Sequence, residues 1–227
     1  MKKNIFAAFF LLAFFVELPQ SVVAQDKTKG RETRVEMVTT EGRMVFVLFN
    51  DTPLHRDNFL KLAKEHTYDS LLFHRVKNNF MIQGGDPQSR NAWPGQMLGD
   101  GSLGYTVPAE FRKEHFHRKG ALCAARQGDN VNPKKASSAS QFYIVQGQVW
   151  DAKTLDMMAQ RYGKTFTQEQ RRVYTTEGGT PHLDGDYTVF GQLIEGMDVV
   201  DRIARVKTGV ADRPVKDVRI LSVKVIK

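Results

Sequence analysis

Phe73-His74-Arg75-Val76-Lys77-Asn78-Asn79-Phe80-Met81-Ile82-Gln83-Gly84-Gly85-Asp86-Pro87 is the stretch on which the reading of this chain turns. Two short apolar segments, 71–75 and 80–83, read as strands that meet at Lys77-Asn78-Asn79, and Gly84-Gly85-Asp86-Pro87 ends the second. Successive side chains of a strand face opposite ways, so Arg75 does not share a face with His74 and Val76. A guanidinium set among Phe80, Met81 and the Phe142-Tyr143 pair is costly unless it meets an acceptor. The bland alternative is an arginine that snorkels off a barrel face into water.

Working outward, residues 34–39 and 43–49 are apolar runs around Glu41-Gly42, a hairpin signal. Thr52-Pro53 starts a helix, with Phe59, Leu62, Ala63 and His66 spaced along one buried face. A loop rich in Gly, Asn and Pro runs to Gly104. Residues 120–125, 141–145 and 189–193 are further short strands. Residues 197–204 form a second helix with Val199, Val200 and Ile203 inward, and 218–226 is the last strand. Its apolar positions shift phase near Ile220-Leu221, as a bulge would make them do. Many short strands with two helices predict a mainly β fold, a closed barrel plugged at its ends. Residues 148–180 do not fit a small barrel. Leu155, Met158, Ala159 and Tyr162 have helical spacing and Thr167 caps a second polar run, so the segment reads as an inserted helical hairpin. It is either a surface decoration or an element that docks a partner or gates substrate.

Composition sets the bounds. The chain has 227 residues, 41% hydrophobic and 26% charged, enough for one domain with a real core. Fifteen Phe, 6 Tyr and 2 Trp exclude a solvated, disordered chain. A single Cys, Cys123, excludes an intramolecular disulfide and a Cys-rich zinc site. The net charge of +8 is moderate and reads as solvated surface. Lys2 and Lys3 precede an apolar run from Ile5 to Val16, followed by Val22-Val23-Ala24. A basic start, a short apolar middle and a small-residue exit make residues 1–24 a secretory signal peptide. That run is too short for a spanning helix, which needs about 20 residues. Residues 25–31 read as a flexible lead and 32–227 as the domain.

The words FHRVKNNFMIQGGDP, SQFYI and HLDGDYTVFGQLIEGMDVV resemble the cyclophilin-type peptidyl-prolyl cis–trans isomerases over about residues 32–227, apart from the 148–180 insertion. The resemblance implies an eight-stranded antiparallel barrel with two capping α-helices and a catalytic groove on one outer face. Arg75 matches the family's catalytic arginine. Phe80, Met81, Tyr143 and Leu183 match the walls of the proline pocket, with Tyr143 in place of the usual Phe. Gln83 matches the residue that holds the substrate backbone, and His74 and Gln141 match groove residues nearby. Ala125 and Arg126 match the strand edge that pairs with the substrate backbone. Tyr187 stands where eukaryotic members have His, and His182 where many members have Trp. Such chemistry needs no cofactor and no metal. The implied partners are proline-containing peptides and folding or unfolded polypeptides, not nucleic acid. The implied setting is a monomer exported to the periplasm or beyond, with no stable membrane insertion after signal cleavage. A proline-binding holdase with incidental isomerase activity is the alternative.

The remaining constellations point to no second chemistry. His115-Phe116-His117 offers two imidazoles, too few for a metal site, and reads as a surface loop. Cys123 reads as a buried packing residue, and Ser137, Ser138 and Ser140 as solvated loop residues. Because every matched pocket residue lies outside 148–180, deleting the insertion is expected to spare turnover of small peptides.

Overall fold

A computed structural model describes residues 33–226; the signal peptide and lead expected over 1–31 lie outside them. Among these residues the order is β1 (Thr33–Thr39), β2 (Gly42–Leu48), α1 (Pro53–Lys64), β3 (Phe73–Lys77), β4 (Met81–Gly84), β5 (Thr106–Val107), β6 (Ala121–Ala124), β7 (Ser137–Ser138) and β8 (Phe142–Val145). Helices α2 (Ala152–Tyr162) and α3 (Gln168–Thr176) follow, then β9 (Val189–Glu195), α4 (Met197–Ala204) and β10 (Ile220–Ile226). Eight strands form one antiparallel sheet in the order β10-β1-β2-β9-β6-β8-β4-β3, and β5 pairs with β7 apart from it.

The alternation of the strands sorts residues between two faces. Phe142 and Ile144 of β8, Ile82 of β4 and Leu122 of β6 point into the main core with Phe46, Leu48, Phe73 and Phe190. Tyr143 and Val145, Met81 and Cys123 point the other way and form a second apolar cluster on the outer face. Cys123 is fully buried there, as expected of a packing residue. Helix α1 buries Phe59, Leu62 and Ala63 against one end of the core, and α4 buries Val199, Val200 and Ile203.

The barrel is less closed than expected. Between β3 and β10 a single bridge, Leu72 with Arg219, replaces a ladder. The seam is sewn by Phe73 N–H to Val218 O at 2.9 Å, Ile220 N–H to Leu71 O at 2.8 Å and Ser70 N–H to Ile220 O at 2.8 Å. The cause is local: an irregularity between Phe73 and Arg75 re-aims β3, and a bulged strand bends away from its neighbour. The bulge anticipated in β10 is present, since Val38 faces Ser222 while Thr39 faces Ile220, leaving Leu221 over.

Three local expectations are corrected. Thr52 makes no side-chain cap to α1; instead the Glu110 carboxylate accepts from Leu54 N–H at 3.1 Å and His55 N–H at 2.9 Å. A carboxylate at a helix N-terminus meets both free N–H groups and the positive end of the dipole. His66 leaves the buried face because it lies past the helix end with φ 56°. Ser137 and Ser140 are buried, not solvated, and Ser137 Oγ sits 2.9 Å from His55 Nε2.

The insertion is a helical hairpin, as expected. Asp151 caps α2 and a Thr167–Gln170 capping box starts α3. Leu155, Phe166, Val173 and Tyr174 form a third apolar cluster, and Phe116 of the barrel completes it.

Candidate active site

Arg75, Gln83, Tyr143 and Cys123 form one row across β3, β4, β8 and β6, because Arg75 pairs with Gln83, Gln83 with Tyr143 and Tyr143 with Cys123. The row faces away from the main core, and Arg75, Gln83 and Tyr143 open onto a cavity of about 460 Å³ while Cys123 stays buried beneath. Of the twelve residues anticipated from sequence, ten line it: His74, Arg75, Phe80, Met81, Gln83, Ala125, Arg126, Tyr143, Leu183 and Tyr187. Met81, Tyr143, Phe80, Leu183 and Tyr187 belong to the outer apolar cluster and give the cavity an apolar wall, while Arg75, Arg126, His74, Gln83 and Asp212 make the rest of its lining polar.

Gln141 and His182 stand beside the cavity. Gln141 accepts from Gln83 Nε2 at 3.1 Å and donates to the carbonyls of Gly99 and Gly101 at 2.7 and 2.9 Å. Asp86, fully buried, accepts from Gly99 N–H at 2.5 Å and so pins the same loop. That loop carries Leu98 and Gly99 into the pocket lining, which the sequence reading missed. His182 stacks on Phe80 with ring centroids 5.6 Å apart and braces that wall from behind the lining.

The cation is accessible. The Arg75 side chain is 42% exposed, and its Nε lies 3.5 Å from Asp212 Oδ2. Asp212 and Ala211 adopt φ of 58° and 56° and also line the cavity. A positive φ is uncommon for non-glycine residues and concentrates at functional sites. No signal in the sequence marked this turn, because its partner Arg75 is far away in the chain. Next to Arg75, His74 is buried and neither ring nitrogen meets a hydrogen-bond partner among the described residues. Burial, chiefly, holds its pKa down at about 4, so the imidazole is neutral at physiological pH.

One expected role changes. The Ala125 N–H is occupied by Gln141 O at 3.0 Å and its carbonyl accepts from Ser138 N–H at 2.8 Å. Ala125 therefore presents its methyl group rather than a free strand edge. The Arg126 side chain is a clamp: it donates to Asp186 O at 2.6 Å and Asp129 Oδ1 at 2.5 Å and lies 4.5 Å over the Tyr187 ring.

His117, expected in a surface loop, is fully buried. Its Nε2 is 2.9 Å from the Tyr143 hydroxyl and its Nδ1 is 2.8 Å from Asp184 Oδ1. His115 pairs with Asp51 at 2.7 Å and stacks on Phe49 at 3.8 Å. The two imidazoles thus serve different neighbours. Among the described residues no group of three or more His, Cys, Asp or Glu side chains is arranged to hold a metal ion.

Fold and pocket together define a class: a β-barrel protein whose outer face offers a cavity with an apolar wall beside the permanent positive charge of Arg75. The pattern of the cyclophilin type peptidyl-prolyl cis-trans isomerases matches residues 34–225, and the chain belongs to that family. A relative from Staphylococcus haemolyticus, provisionally named a peptidyl-prolyl cis-trans isomerase, is 40% identical over 87% of this chain and 93% of its own length. A Staphylococcus saprophyticus relative with the same name is 38% identical over the same shares. A crystal structure of a cyclophilin type isomerase from Cryptosporidium parvum superposes with a TM-score of 0.64 at 23% identity, covering 86% of this chain and 98% of that one. The same Cryptosporidium protein, crystallised in the presence of the dipeptide Ala-Pro, gives 0.60.

Proposed function

We propose that the mature chain accelerates X–Pro isomerisation in exported polypeptides, with Arg75 as the catalytic residue. The observation that carries this reading is the exposed Arg75 guanidinium beside the apolar wall that Phe80, Met81, Tyr143 and Leu183 give the cavity. An X–Pro bond rotates slowly because resonance gives its C–N bond double-bond character, with a barrier of roughly 18–20 kcal/mol. At the twisted midpoint that resonance is lost and the prolyl nitrogen becomes a pyramidal acceptor. An arginine N–H can bond the nitrogen in that state and not in the planar ones, which lowers the barrier selectively. The charge is present at every physiological pH.

Phe80, Met81, Tyr143 and Leu183 are placed to grip the prolyl ring, while Gln83, oriented by Gln141, holds the chain on one side. The other side is free to turn. Asp212 holds Arg75 Nε and leaves the outer guanidinium nitrogens for the substrate. Backbone pairing falls to Arg126, since the Ala125 N–H is taken. The reaction breaks no covalent bond and needs no nucleophile, metal or nucleotide.

Export is supported by the signal sequence over residues 1–24, and assistance to folding follows from chemistry that acts on any accessible X–Pro bond. The test is X–Pro exchange in a peptide, followed with residues 25–227 in metal-free buffer. Acceleration is expected, with amino-terminal sequencing of the processed protein beginning near Gln25. Suppression of client aggregation without any peptide turnover would favour a holdase instead.

A further inference from the structure

The inserted hairpin is joined to the pocket by a chain of buried and part-buried polar contacts. Asp184 lies between two pocket residues, Leu183 and Tyr187. Its Oδ2 accepts from the Tyr174 hydroxyl of α3 at 2.7 Å. Its Oδ1 accepts from the His117 main-chain N–H at 2.9 Å and lies 2.8 Å from His117 Nδ1. His117 Nε2 is 2.9 Å from the Tyr143 hydroxyl. Tyr174 and His117 are fully buried and Tyr143 is 4% exposed.

The roles in this chain follow from the donors available. A carboxylate only accepts, so His117 carries a proton on Nδ1 toward Asp184; in the neutral tautomer that this contact selects, Nε2 is the acceptor for the Tyr143 O–H. The Tyr143 hydroxyl is thereby turned into the protein, and the ring meets the cavity as an apolar wall. Without His117 in place, that hydroxyl would seek another partner and the wall would move.

The hairpin reaches the pocket by two further contacts. Lys164, between α2 and α3, donates to the Asp184 carbonyl and to Asp186 Oδ2, the latter at 2.6 Å. Tyr162 of α2 packs 6.0 Å from His182, which braces Phe80. The neck is equally fixed: Gly179 bridges to Arg118 and Gln148, and a Cβ there would stand 2.2 Å from the His117 carbonyl oxygen.

We propose that the 148–180 hairpin is a positioning element of the prolyl pocket, acting from Tyr174 through Asp184 and His117 on Tyr143. Tyr174, His117 and Asp184 are positioning residues that hold a wall the substrate touches. The inference rests on the reading of this cavity as the proline site. It also reverses the expectation that the insertion is separable from small-peptide turnover.

The test is a double-mutant cycle on the full mature chain with a proline peptide. Tyr174→Phe removes one hydroxyl from the hairpin and is expected to lower kcat/KM three- to tenfold, through KM more than kcat. In a Tyr143→Phe background, where the chain has no terminal hydroxyl to hold, the same change is expected to have less than a twofold effect. Arg172→Ala, which removes an exposed pair with Glu169 on α3, should leave kcat/KM unchanged in either background. An equal loss in both backgrounds, or none in the wild type, overturns the proposal. Failure of the functional reading is separately visible, since the wild type would then show no turnover. In that case the proposal is decided by the Tyr143 ring signals in NMR: Tyr174→Phe must shift them, and unchanged signals overturn it.

Discussion

Two apolar clusters sit on the outside of the same barrel and have opposite fates. One, built on Met81, Cys123 and Tyr143, is left open as a cavity of about 460 Å³ with Arg75 at its rim. The other, around Phe116, is sealed by the hairpin, which covers it with Leu155, Phe166, Val173 and Tyr174. Both follow from strands and loops that present apolar side chains away from the core. What separates them is whether the chain itself supplies the cover. Uncovered apolar surface beside a fixed charge is a place for a ligand, and covered apolar surface is structure.

The comparison is sharpest at Arg75. Arg75→Ala is expected to lower kcat/KM by about 10²–10³-fold, the loss typical of one donor aimed at a transition state. Affinity for a proline peptide, which depends on the apolar walls, should change only a few-fold, as titration by NMR or calorimetry would show. Full turnover in Arg75→Ala would remove the mechanism.

Removing the cover tests the other cluster. Deleting 148–180 and rejoining with a short Gly-containing turn uncovers Phe116 and leaves Asp184 and His117 without Tyr174. Exposing Phe116 should cost on the order of 1.5–3 kcal/mol, while Asp184 keeps its contacts with His117. A drop in the urea midpoint together with reduced turnover is expected. A deletion variant as stable and active as the intact chain would make the second cluster decoration.

Acid should act on the open site first. Burial lowers the pKa of His74 from an ordinary 6.5 to about 4, and lowers that of His55 and of His182 in the same direction. The unfolded chain then binds more protons than the folded one between about pH 6.5 and 4, so stability falls as pH falls through that window. The His74 share is on the order of 2–3 kcal/mol, present in full above pH 6.5 and gone below about 4. Denaturant midpoints from pH 7 to 4 should show the decline, and His74→Asn should flatten it. A midpoint independent of pH in that range would contradict the buried neutral imidazole.

The smallest effect on turnover is expected away from both clusters, at the Glu110 cap of α1. Glu110→Ala removes the acceptor for two helix N–H groups and the 2.7 Å partner of the buried His55 Nδ1, so it should cost on the order of 3 kcal/mol of stability, with turnover unchanged. A loss of activity there would show that α1 takes part in shaping the pocket.

Much of this protein was legible in its sequence. The family words around Arg75, Gln83 and Tyr143 named twelve residues, ten of which line one cavity. The helical spacing of α4, the cap at Thr167 and the phase shift at Leu221 were read from short windows because their physics is local. What escaped was contact between distant residues of ordinary local appearance. Glu110 is one charge in a loop until α1 arrives over it. Asp212 marks nothing until its turn meets Arg75. His117 looked like one of two imidazoles in a loop, and only the fold brings Asp184 to one ring nitrogen and Tyr143 to the other. The sequence alone determined where the short strands and helices lie and where the arginine stands, since side-chain periodicity and turn chemistry depend on near neighbours. The tertiary structure alone decided which buried polar groups meet, and so that an insertion became a support for the pocket. A buried hydrogen bond links whatever residues packing brings within 3 Å, and separation along the chain carries no record of it.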